Sequence, residues 1–333
     1  MRRVLLPLAL SPLLPPHGAV VRTLEGRSMG TSWSAKAVLA PDAPCPAAAL
    51  QALLDDVVAQ MSHWEDNSDL ARFNTAPPGA WVRLPFDFFH VLRYALGVAD
   101  DSGGAYDPCA GALVERWGFG ARHRHDQDGF SAPSRAEIDT LLAMPGWRAV
   151  QLDGATRSAL QPGGVMLDLS SVAKGFAVDQ LARGLEARGV HHYLVEVGGE
   201  LRGAGVKPDG QPWWVALEGV PDARAGVPTV VALHGLSLAT SGDYRRFFEH
   251  DGRRLPHTLD PRSGYPIGNN VASVSVLHAD CMAADALSTA LSVLGPELGL
   301  AFAETHALAA RFLVRRGDVL DETCSSAFRA LLE

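Results

Sequence analysis

Cysteine is scarce in this chain, and basic charge is in deficit. The 333 residues include four cysteines, Cys45, Cys109, Cys281 and Cys324, which are too few and too scattered for a disulfide framework or a C-x-x-C metal site. Acidic residues outnumber basic ones by 37 to 29, for a formal net charge of −8. This net charge argues against a general nucleic-acid-binding protein, which normally presents a basic face, and we expect no nucleic-acid partner.

Long hydrophobic runs are also missing, except at the N-terminus. Arg2 and Arg3 precede an apolar run that reaches Leu14, which is the layout of a signal peptide, although two prolines interrupt the run and no A-x-A cleavage site follows. The run is too short for a membrane anchor, and it contains no cysteine for lipidation. We expect residues 1–20 to be signal-like or disordered and the protein to be periplasmic, without a lipid anchor; the alternative is a cytoplasmic protein with an irregular N-terminus.

What is present is the pattern of a globular α+β protein. With 333 residues, of which 47% are hydrophobic and 20% charged, the chain is long enough for one elaborate domain or two small ones. Helical spacing of apolar residues predicts helices after Pro46 and over 86–102, and capping boxes or N-caps precede further helices. Short apolar runs predict strands over 20–39 with a break at 29–31, and over 192–197, 213–218, 229–233 and 271–277. Hairpin-like links between the strands predict mixed, largely antiparallel sheets with packed helices.

A strand, a hydroxyl turn and a helix follow one another at the centre of the chain. Val165–Leu169 is predicted as a buried strand, Ser170 and Ser171 as caps, and 172–188 as a helix. Lys174 falls in the first helical turn, where the helix dipole disfavours a cation, so it is either an anion-binding group or a solvated lysine. The later Gly198-Gly199-Glu200 lacks the spacing of a dinucleotide-binding turn, and we reject a Rossmann fold.

The stretch from Ala239 to Ile267 has the highest density of special-purpose residues. Thr240–Asp243 is predicted as a hydrogen-bonding turn that approaches a ligand. His257 and Asp260 precede a Pro-Arg-Ser-Gly turn, whose Arg262 either meets phosphate or holds the loop. The alternative is a hairpin with solvated arginines, which are Arg245, Arg246, Arg253 and Arg254.

Asp285 and Thr289 are one helical turn apart in an otherwise small and apolar helix predicted from Cys281 to Leu294. A buried carboxylate needs a partner, and the candidates are Mg²⁺ and an arginine; oxygen-only ligands suit Mg²⁺.

Among the aromatic residues, Trp64 is either a core anchor or a stacking surface, and Tyr106 and Trp117 are core residues or ligand walls. The run from His123 to Asp128 is predicted as a solvated loop.

Several long motifs in register resemble the FAD:protein FMN transferase family, also called ApbE-like or thiamine-biosynthesis lipoproteins. They run from about residue 22 to the end of the chain and are MGTSWS, MSHWEDNSDLARFN, GGAYDPCAG, ALVERWGFG, LDLSSVAKGFAVDQLA, YLVEVGGELRGAG, ATSGDYRRFFEHDGRRLPHTLDPRSGYPI and VSVLHADCMAADALSTALSVLGPE. The resemblance implies an ApbE-like fold and one catalytic domain over 21–333. It also implies transfer of FMN from FAD to a Thr or Ser hydroxyl of an acceptor flavoprotein, with release of AMP.

The resemblance also assigns site residues. Those implied to contact FAD are Met29, Trp64, Ala105, Tyr106, Asp107, Ser170, Lys174 and His257. Those implied to hold Mg²⁺ are the Ala173 carbonyl, Asp285 and Thr289, and the implied catalytic residues are His257 and Asp285. His257 is either a general base or a diphosphate contact. Cys109 and Pro256 depart from the family, which usually has Thr or a small residue and Ser there.

Three functions stay open at this point. The first is flavin transfer to an acceptor protein, for which a subunit of a membrane electron-transfer complex is one candidate. The second is hydrolysis of FAD to FMN and AMP at the same metal site. The third is flavin binding without turnover, which an intact Asp285 and Thr289 pair disfavours.

Overall fold

The fold is described from a computed structural model, which describes residues 3–7, 13–221, 229–250, 252–317 and 319–332. The helices are α1 (Ala47–Met61), α2 (Asp69–Asn74), α3 (Phe86–Asp101), α4 (Gly111–Arg116), α5 (Arg135–Leu142), α6 (Ala173–Glu186), α7 (Cys281–Thr305) and α8 (Ser326–Arg329). The first nine strands are β1 (Arg3–Leu5), β2 (Val20–Ser28), β3 (Thr31–Leu39), β4 (Trp81–Arg83), β5 (Leu152–Asp153), β6 (Ser158–Leu160), β7 (Tyr193–Val197), β8 (Glu200–Ala204) and β9 (Trp213–Ala216). The others are β10 (Thr229–Leu233), β11 (Leu236–Gly242), β12 (Phe247–His250), β13 (Arg253–Pro256), β14 (Leu259–Asp260), β15 (Tyr265–Pro266), β16 (Val271–His278), β17 (Ala309–Arg316) and β18 (Val319–Cys324).

A large antiparallel sheet forms the framework of the molecule. Its eight strands lie in the order β18-β17-β16-β11-β8-β7-β3-β2, and every neighbouring pair is antiparallel. Smaller sheets are β1-β10-β9 and β4-β6-β5, and β12-β13 and β14-β15 are separate hairpins. The predicted α+β class with largely antiparallel sheets is confirmed.

Helices α6 and α7 cross beside this sheet, and the crossing requires glycine. A Cβ built on Gly175 would lie 2.3 Å from the carbonyl oxygen of Cys281 and 2.8 Å from the Cβ of Asp285. Because backbone and a core side chain occupy that space, only glycine lets the two helices approach this closely. The approach brings the first turn of α6 against the part of α7 that carries Asp285.

The start of α7 is capped by a residue of the neighbouring helix. No side chain of its own N-cap residue, Asp280, makes the capping hydrogen bond; instead, buried Asp179 in α6 accepts hydrogen bonds from the backbone N–H groups of Cys281 and Met282, at 3.1 and 2.9 Å. The same carboxylate accepts a hydrogen bond from Arg202 at 2.6 Å. The first N–H groups of a helix lack intrahelical partners, so Asp179 fixes the start of α7 relative to α6.

Helix α7 is kinked where its sequence contains Gly295-Pro296. Gly295 has a φ of 80°, and Pro296 has no N–H to donate to the carbonyl of Ser292. The side-chain amide of Asn269 donates to that carbonyl at 2.8 Å. Although α7 is long and apolar enough to cross a membrane, its first half is packed against β11, β16 and α6, and this burial accounts for its composition.

Several predicted elements match, and some do not. The hairpin over 20–39, the helices after Pro46 and over 86–102, the N-cap Ser68 and the capping box of Ser134 and Glu137 are confirmed. Val165–Leu169 is not a strand but an extended segment with one bridge, from Met166 to Ala110. Strand β18 was not predicted.

Two predictions about polar turns are wrong. Ser170 and Ser171 do not cap α6, whose N-cap residue is Val172 and has no side-chain capping bond. Thr240–Gly242 is not a turn but the end of β11, paired with β16. The Thr240 and Ser241 hydroxyls bond to the neighbouring strand and to α7 instead of making the local hydrogen bonds that the sequence suggested.

The N-terminal segment is described only in part. Strand β1 pairs in parallel with β10, whereas residues 1–2 and 8–12 of the signal-like run lie outside the described residues. Both the division at residue 20 and the single domain over 21–333 stay predictions.

Candidate functional site

One cavity of about 380 Å³ collects most of the residues that the sequence singled out. This volume lies within the range of small-molecule sites. The cavity lies between the main core and a smaller cluster that includes Phe119 and Leu259. Its polar lining residues are His63, Tyr106, Asp107, Asp168, Ser170, Ser171, Lys174, Glu200, Thr240, Ser241, Arg245, Arg246, His257, Thr258, Asp285 and Thr289.

Three hydroxyl groups form a cluster where β11 meets α7. Ser241 Oγ lies 2.8 Å from Ser288 Oγ and 3.1 Å from Thr289 Oγ1. Ser288 also donates to the carbonyl of Asp285 at 2.9 Å. Strand β11 therefore positions Thr289, which lies one turn beyond Asp285 on the same face of the helix.

Asp285 is held by the first turn of α6. Its Oδ2 accepts a hydrogen bond from the backbone N–H of Gly175 at 2.9 Å, and its side chain is buried. Burial raises the pKa of the Asp285 carboxyl, while Lys174 and the Gly175 N–H act in the opposite direction. The close crossing of α6 and α7 thus places the Asp285 carboxylate at the cavity.

Lys174 is not a solvated lysine. Its Nζ lies 2.5 Å from Glu200 Oε1 in β8, and its side chain is 30% exposed. Burial opposes the charged amine, but the carboxylates of Asp285 and Glu200 outweigh this effect and raise its pKa. Burial also raises the pKa of Glu200, to about 7, although Lys174 lowers it.

The three groups bring two carboxyl groups and one ammonium group together in a largely buried place. Two carboxylates, Asp285 and Glu200, share one ammonium group, and Glu200 Oε2 is buried with no hydrogen-bond partner among the described residues. Burying unpaired charge is costly, and a cation would relieve that cost. The oxygen donors at hand, from Asp285 and Thr289, fit a hard divalent cation such as Mg²⁺.

His257 borders the cavity in a defined tautomer. The carbonyl of Arg246 lies 3.0 Å from His257 Nδ1 and accepts the His257 backbone N–H as well. Because a carbonyl only accepts, the neutral ring carries its hydrogen on Nδ1 and keeps a lone pair on Nε2. Burial lowers the pKa of His257 to about 4, and the cations Arg246, Lys174 and Arg245 add to this effect against the hydrogen bond to the Arg246 carbonyl. The imidazole is neutral at pH 7 and able to accept a proton.

Residues 105–110 form one wall of the cavity, and Asp107 and Cys109 lie in a turn of this segment. Asp107 Oδ1 accepts a hydrogen bond from the Cys109 N–H at 2.7 Å. Burial raises the pKa of Asp107 to about 6, against the hydrogen bonds from Cys109 and Trp147. Ala105 and Tyr106 are buried and line the same wall, whereas Trp117 packs with Phe119 in the smaller cluster as a core residue.

The arginines of the Ala239–Ile267 stretch have mostly structural contacts. Arg245 binds Glu218 at 2.6 Å, Arg246 donates to the Phe119 carbonyl at 2.9 Å, and Arg254 stacks on Phe247 at 3.7 Å. Arg262 binds both carboxylate oxygens of Asp260, at 2.8 and 2.9 Å. Arg262 therefore holds its loop, and Arg245 and Arg246 also supply positive charge to the cavity wall.

Three predicted site residues, Met29, Trp64 and Ala173, are not among the lining residues of the cavity. Met29 has a φ of 52° in the β2–β3 turn, Ala173 is buried at the first position of α6, next to Lys174, and Trp64 follows the lining residue His63. Trp64 is 48% exposed, so the core interpretation of this residue is wrong. Its role as a stacking surface stays a prediction.

Sequence reasoning missed Glu200 and the pair of His63 and Asp168 as site residues. Glu200 was noticed only because it breaks a glycine pattern, and its position after two glycines at a hairpin was the available signal. His63 Nδ1 lies 3.7 Å from Asp168 Oδ1, across 105 residues of sequence, and no local pattern signals such a pair.

Comparison with known proteins places these residues in a family context. The ApbE family model matches residues 29–312. A FAD:protein FMN transferase of Vibrio cholerae is 36% identical over 312 residues, covering 93% of this chain and 92% of the relative, and one of Haemophilus influenzae is 37% identical over 325 residues, covering 94% and 92%. The crystal structure of Pseudomonas stutzeri flavinyl transferase ApbE in its apo form superposes with a TM-score of 0.86 at 37% identity, covering 96% of this chain and 98% of that one.

Proposed function

The chain belongs to the ApbE family, and from that premise we propose that it transfers FMN from FAD to a Thr or Ser hydroxyl of an acceptor flavoprotein, forming a phosphoester bond and releasing AMP. The observation that carries the proposal is the convergence of Lys174, His257, Asp285 and Thr289 on one cavity. These residues come from three separate parts of the sequence, and together they provide a cation, a neutral base and oxygen ligands.

The diphosphate of FAD would lie in the cavity beside Lys174 of α6 and Asp285 and Thr289 of α7. We assign Asp285, Thr289 and the Ala173 carbonyl to Mg²⁺, which when bound neutralises charge on the diphosphate. Lys174 stays protonated because Asp285 and Glu200 raise its pKa, and it attracts the phosphate oxygens. Met29, Trp64, Ala105, Tyr106, Asp107 and Ser170 are the proposed contacts with the remainder of FAD.

The transfer step needs an acceptor oxygen and a place for its proton. The lone pair on His257 Nε2 accepts the proton as the hydroxyl oxygen forms a bond to the FMN-side phosphorus. The bond from that phosphorus to the bridging oxygen breaks, and the electron pair leaves with AMP. Positioning and charge stabilisation supply most of the rate enhancement in such reactions.

Two alternatives use the same cavity. With water in place of the hydroxyl, the site would be a FAD diphosphatase; without turnover, it would store or deliver flavin. Incubation with FAD and Mg²⁺, with and without a flavin-acceptor domain, separates the three. We expect AMP release together with an acceptor mass increase equal to FMN less one water. Free FMN without acceptor would indicate hydrolysis, and the absence of AMP in both reactions would contradict both enzymatic functions.

The acceptor and the compartment are also proposals. A subunit of a membrane electron-transfer complex is the candidate acceptor, and the arginine and apolar run at residues 2–14 supports export to the periplasm. Fusion of residues 1–20 to a reporter that is active only after export checks the second proposal; a reporter without activity would contradict it.

A further inference from the structure

Glu200 is a buried acid of the cavity that contains Lys174 and Asp285, and the proposed transfer step does not use it. It is the first residue of β8 and pairs with Val197 across the β7–β8 turn. Its side chain is 3% exposed, and its Oε1 lies 2.5 Å from Lys174 Nζ. An acid in this place can change both where the ammonium group lies and how strongly that group attracts an anion.

The position of the Lys174 ammonium group is not fixed by its own helix. Lys174 lies in the first turn of α6, where the helix dipole disfavours a cation, and the ammonium group is carried on a flexible four-carbon chain. Within the described residues, it donates one hydrogen bond, to Glu200. Because an ammonium group has three donors, two remain for the oxygens of a bound anion.

The turn that precedes Glu200 leaves room for the lysine side chain. Gly198 and Gly199 have φ angles of 60° and 106°, and a two-residue hairpin turn with two positive φ angles favours glycine. A Cβ built on Gly198 would lie 3.5 Å from Lys174 Cδ, and one built on Gly199 would lie 2.7 Å from the guanidinium nitrogens of Arg245. The glycine turn therefore lets both cations lie against the hairpin that carries Glu200.

The charge of Glu200 opposes the binding of a diphosphate. Although burial opposes the charged amine, the carboxylates of Asp285 and Glu200 raise the pKa of Lys174. The same two carboxylates would repel the phosphate oxygens that Lys174 attracts, and a divalent cation bound by Asp285 and Thr289 would offset this repulsion. Glu200 therefore has two separable effects, one through its oxygen atom and one through its charge.

We propose that Glu200 is a positioning residue for the diphosphate: its Oε1 holds the Lys174 ammonium group in place, and its charge makes diphosphate binding depend on the divalent cation. The inference rests on the proposed function, because it requires a diphosphate that binds beside Lys174. In this role Glu200 acts through Lys174 and needs no contact with the ligand.

The binding of inorganic pyrophosphate to the full chain tests both effects without turnover. Isothermal titration calorimetry is run in EDTA and in saturating Mg²⁺, at about pH 8.5, where a carboxyl group with a pKa of about 7 is ionised. Glu200→Gln keeps an oxygen for Lys174 and removes the charge, whereas Glu200→Met removes both. The two variants therefore have the same charge and differ in the bond to Lys174.

Each effect has its own expected result. In EDTA, Glu200→Gln should bind pyrophosphate about tenfold more tightly than the wild-type protein, and Mg²⁺ should strengthen binding less in this variant than in the wild type. Glu200→Met should bind pyrophosphate at least about tenfold more weakly than Glu200→Gln, because its lysine is free to move. Glu297→Gln, at an exposed residue in the second half of α7, is the control and should leave the affinities unchanged.

Three results would overturn the proposal. Equal affinities of Glu200→Gln and Glu200→Met would contradict the positioning role, and an affinity of Glu200→Gln in EDTA no higher than that of the wild type would contradict the effect of charge. The third is the absence of saturable pyrophosphate binding in all three proteins. Failure of the proposed function is a different result, since the wild-type protein would then release no AMP from FAD with Mg²⁺ and an acceptor domain.

Discussion

Asp285, Lys174 and Glu200 form a group of two buried carboxyl groups and one partly exposed ammonium group. An exposed ion pair contributes little to stability, but here both carboxylates are buried and their pKa values are raised. Such perturbed groups in a cavity are typical of functional sites. Without a bound cation, this arrangement lowers the free energy of unfolding. A metal ion that relieved the repulsion would gain binding affinity from it.

Replacing Asp285 by alanine should remove Mg²⁺-dependent AMP release while the fold persists. The variant leaves Lys174 and Glu200 as a balanced pair, so no unpaired charge is created. AMP release at saturating FAD is the measurement, and FAD binding should survive in part. Asp321→Ala, at a half-exposed residue of β18, is the control; full activity in Asp285→Ala would contradict the metal assignment.

His257→Ala separates the two roles that the sequence left open. A general base contributes roughly 10²- to 10⁴-fold to a rate, so we expect a loss in kcat of that order with little change in the affinity for FAD. The fixed Nδ1–H and free Nε2 are the reason for this expectation. A loss of FAD affinity with an unchanged kcat would show instead that His257 is a diphosphate contact.

The stability of the protein should also depend on pH through His257. The unfolded chain takes up a proton near pH 6.5, whereas the folded site excludes it until about pH 4. Unfolded protein therefore binds more protons in this window, and the free energy of unfolding falls as the pH drops. Between pH 6.5 and 4, the wild-type protein should lose more stability than His257→Gln in urea unfolding; an equal loss in both proteins would contradict the lowered pKa.

Residue spacing predicted only part of this group. Asp285 and Thr289 were identified because a four-residue spacing in an apolar helix puts both on one face. Glu200 was not, because its role depends on a lysine 26 residues away, and that distance is closed only by the sheet.

At the scale of elements, the crossing of α6 and α7 determines where the site groups lie. Gly175→Ala would place a methyl group 2.3 Å from the Cys281 carbonyl, and the helices would have to separate. Overpacking of this kind typically costs about 1–3 kcal/mol. We expect a lower Tm together with weaker Mg²⁺ activation, measured by thermal unfolding and by AMP release. Gly154→Ala, where nothing lies within 4 Å, should change neither, and an unaffected Gly175→Ala protein would show that the crossing tolerates a side chain.

Helices were easier to predict from this sequence than polar strands. The 3.6-residue period identified α1 and α3 with nearly correct ends, because each buries one apolar face. Thr240 and Ser241 resemble a turn in composition, yet they end β11. Thr240 bonds to Ser275 on the next strand at 2.9 Å, and Ser241 bonds to α7, so contacts distant in sequence decide the conformation.

At the scale of the whole molecule, the cavity that contains Lys174 and Asp285 lies between the main core and the smaller cluster around Phe119 and Leu259. A ligand that contacts both would stabilise the folded chain by about 2.7 kcal/mol at one hundred times its Kd. FAD with Mg²⁺ should therefore raise the Tm by several degrees. Riboflavin, which lacks the diphosphate, should have a smaller effect, and an equal shift would show that the Lys174 side of the cavity is not engaged.

The motifs, read in order along the chain, predicted the family, the fold class and most of the residues that line the cavity, because the motifs identify residues that belong to one site. The central sheet order was not predictable in the same way, because β11 pairs with β8 and β16, which lie far from each other in sequence.

Asp179 shows what transplanting this site into another protein would require. Its one carboxylate receives Arg202 from β8 and two N–H groups from the start of α7. If α7 alone were copied into another protein, Asp285 and Thr289 would lie on a helix whose first N–H groups are uncapped and whose start is not held in place. The smallest portable unit is therefore α6, β8 and α7 moved together with β11, whose Ser241 contacts Thr289.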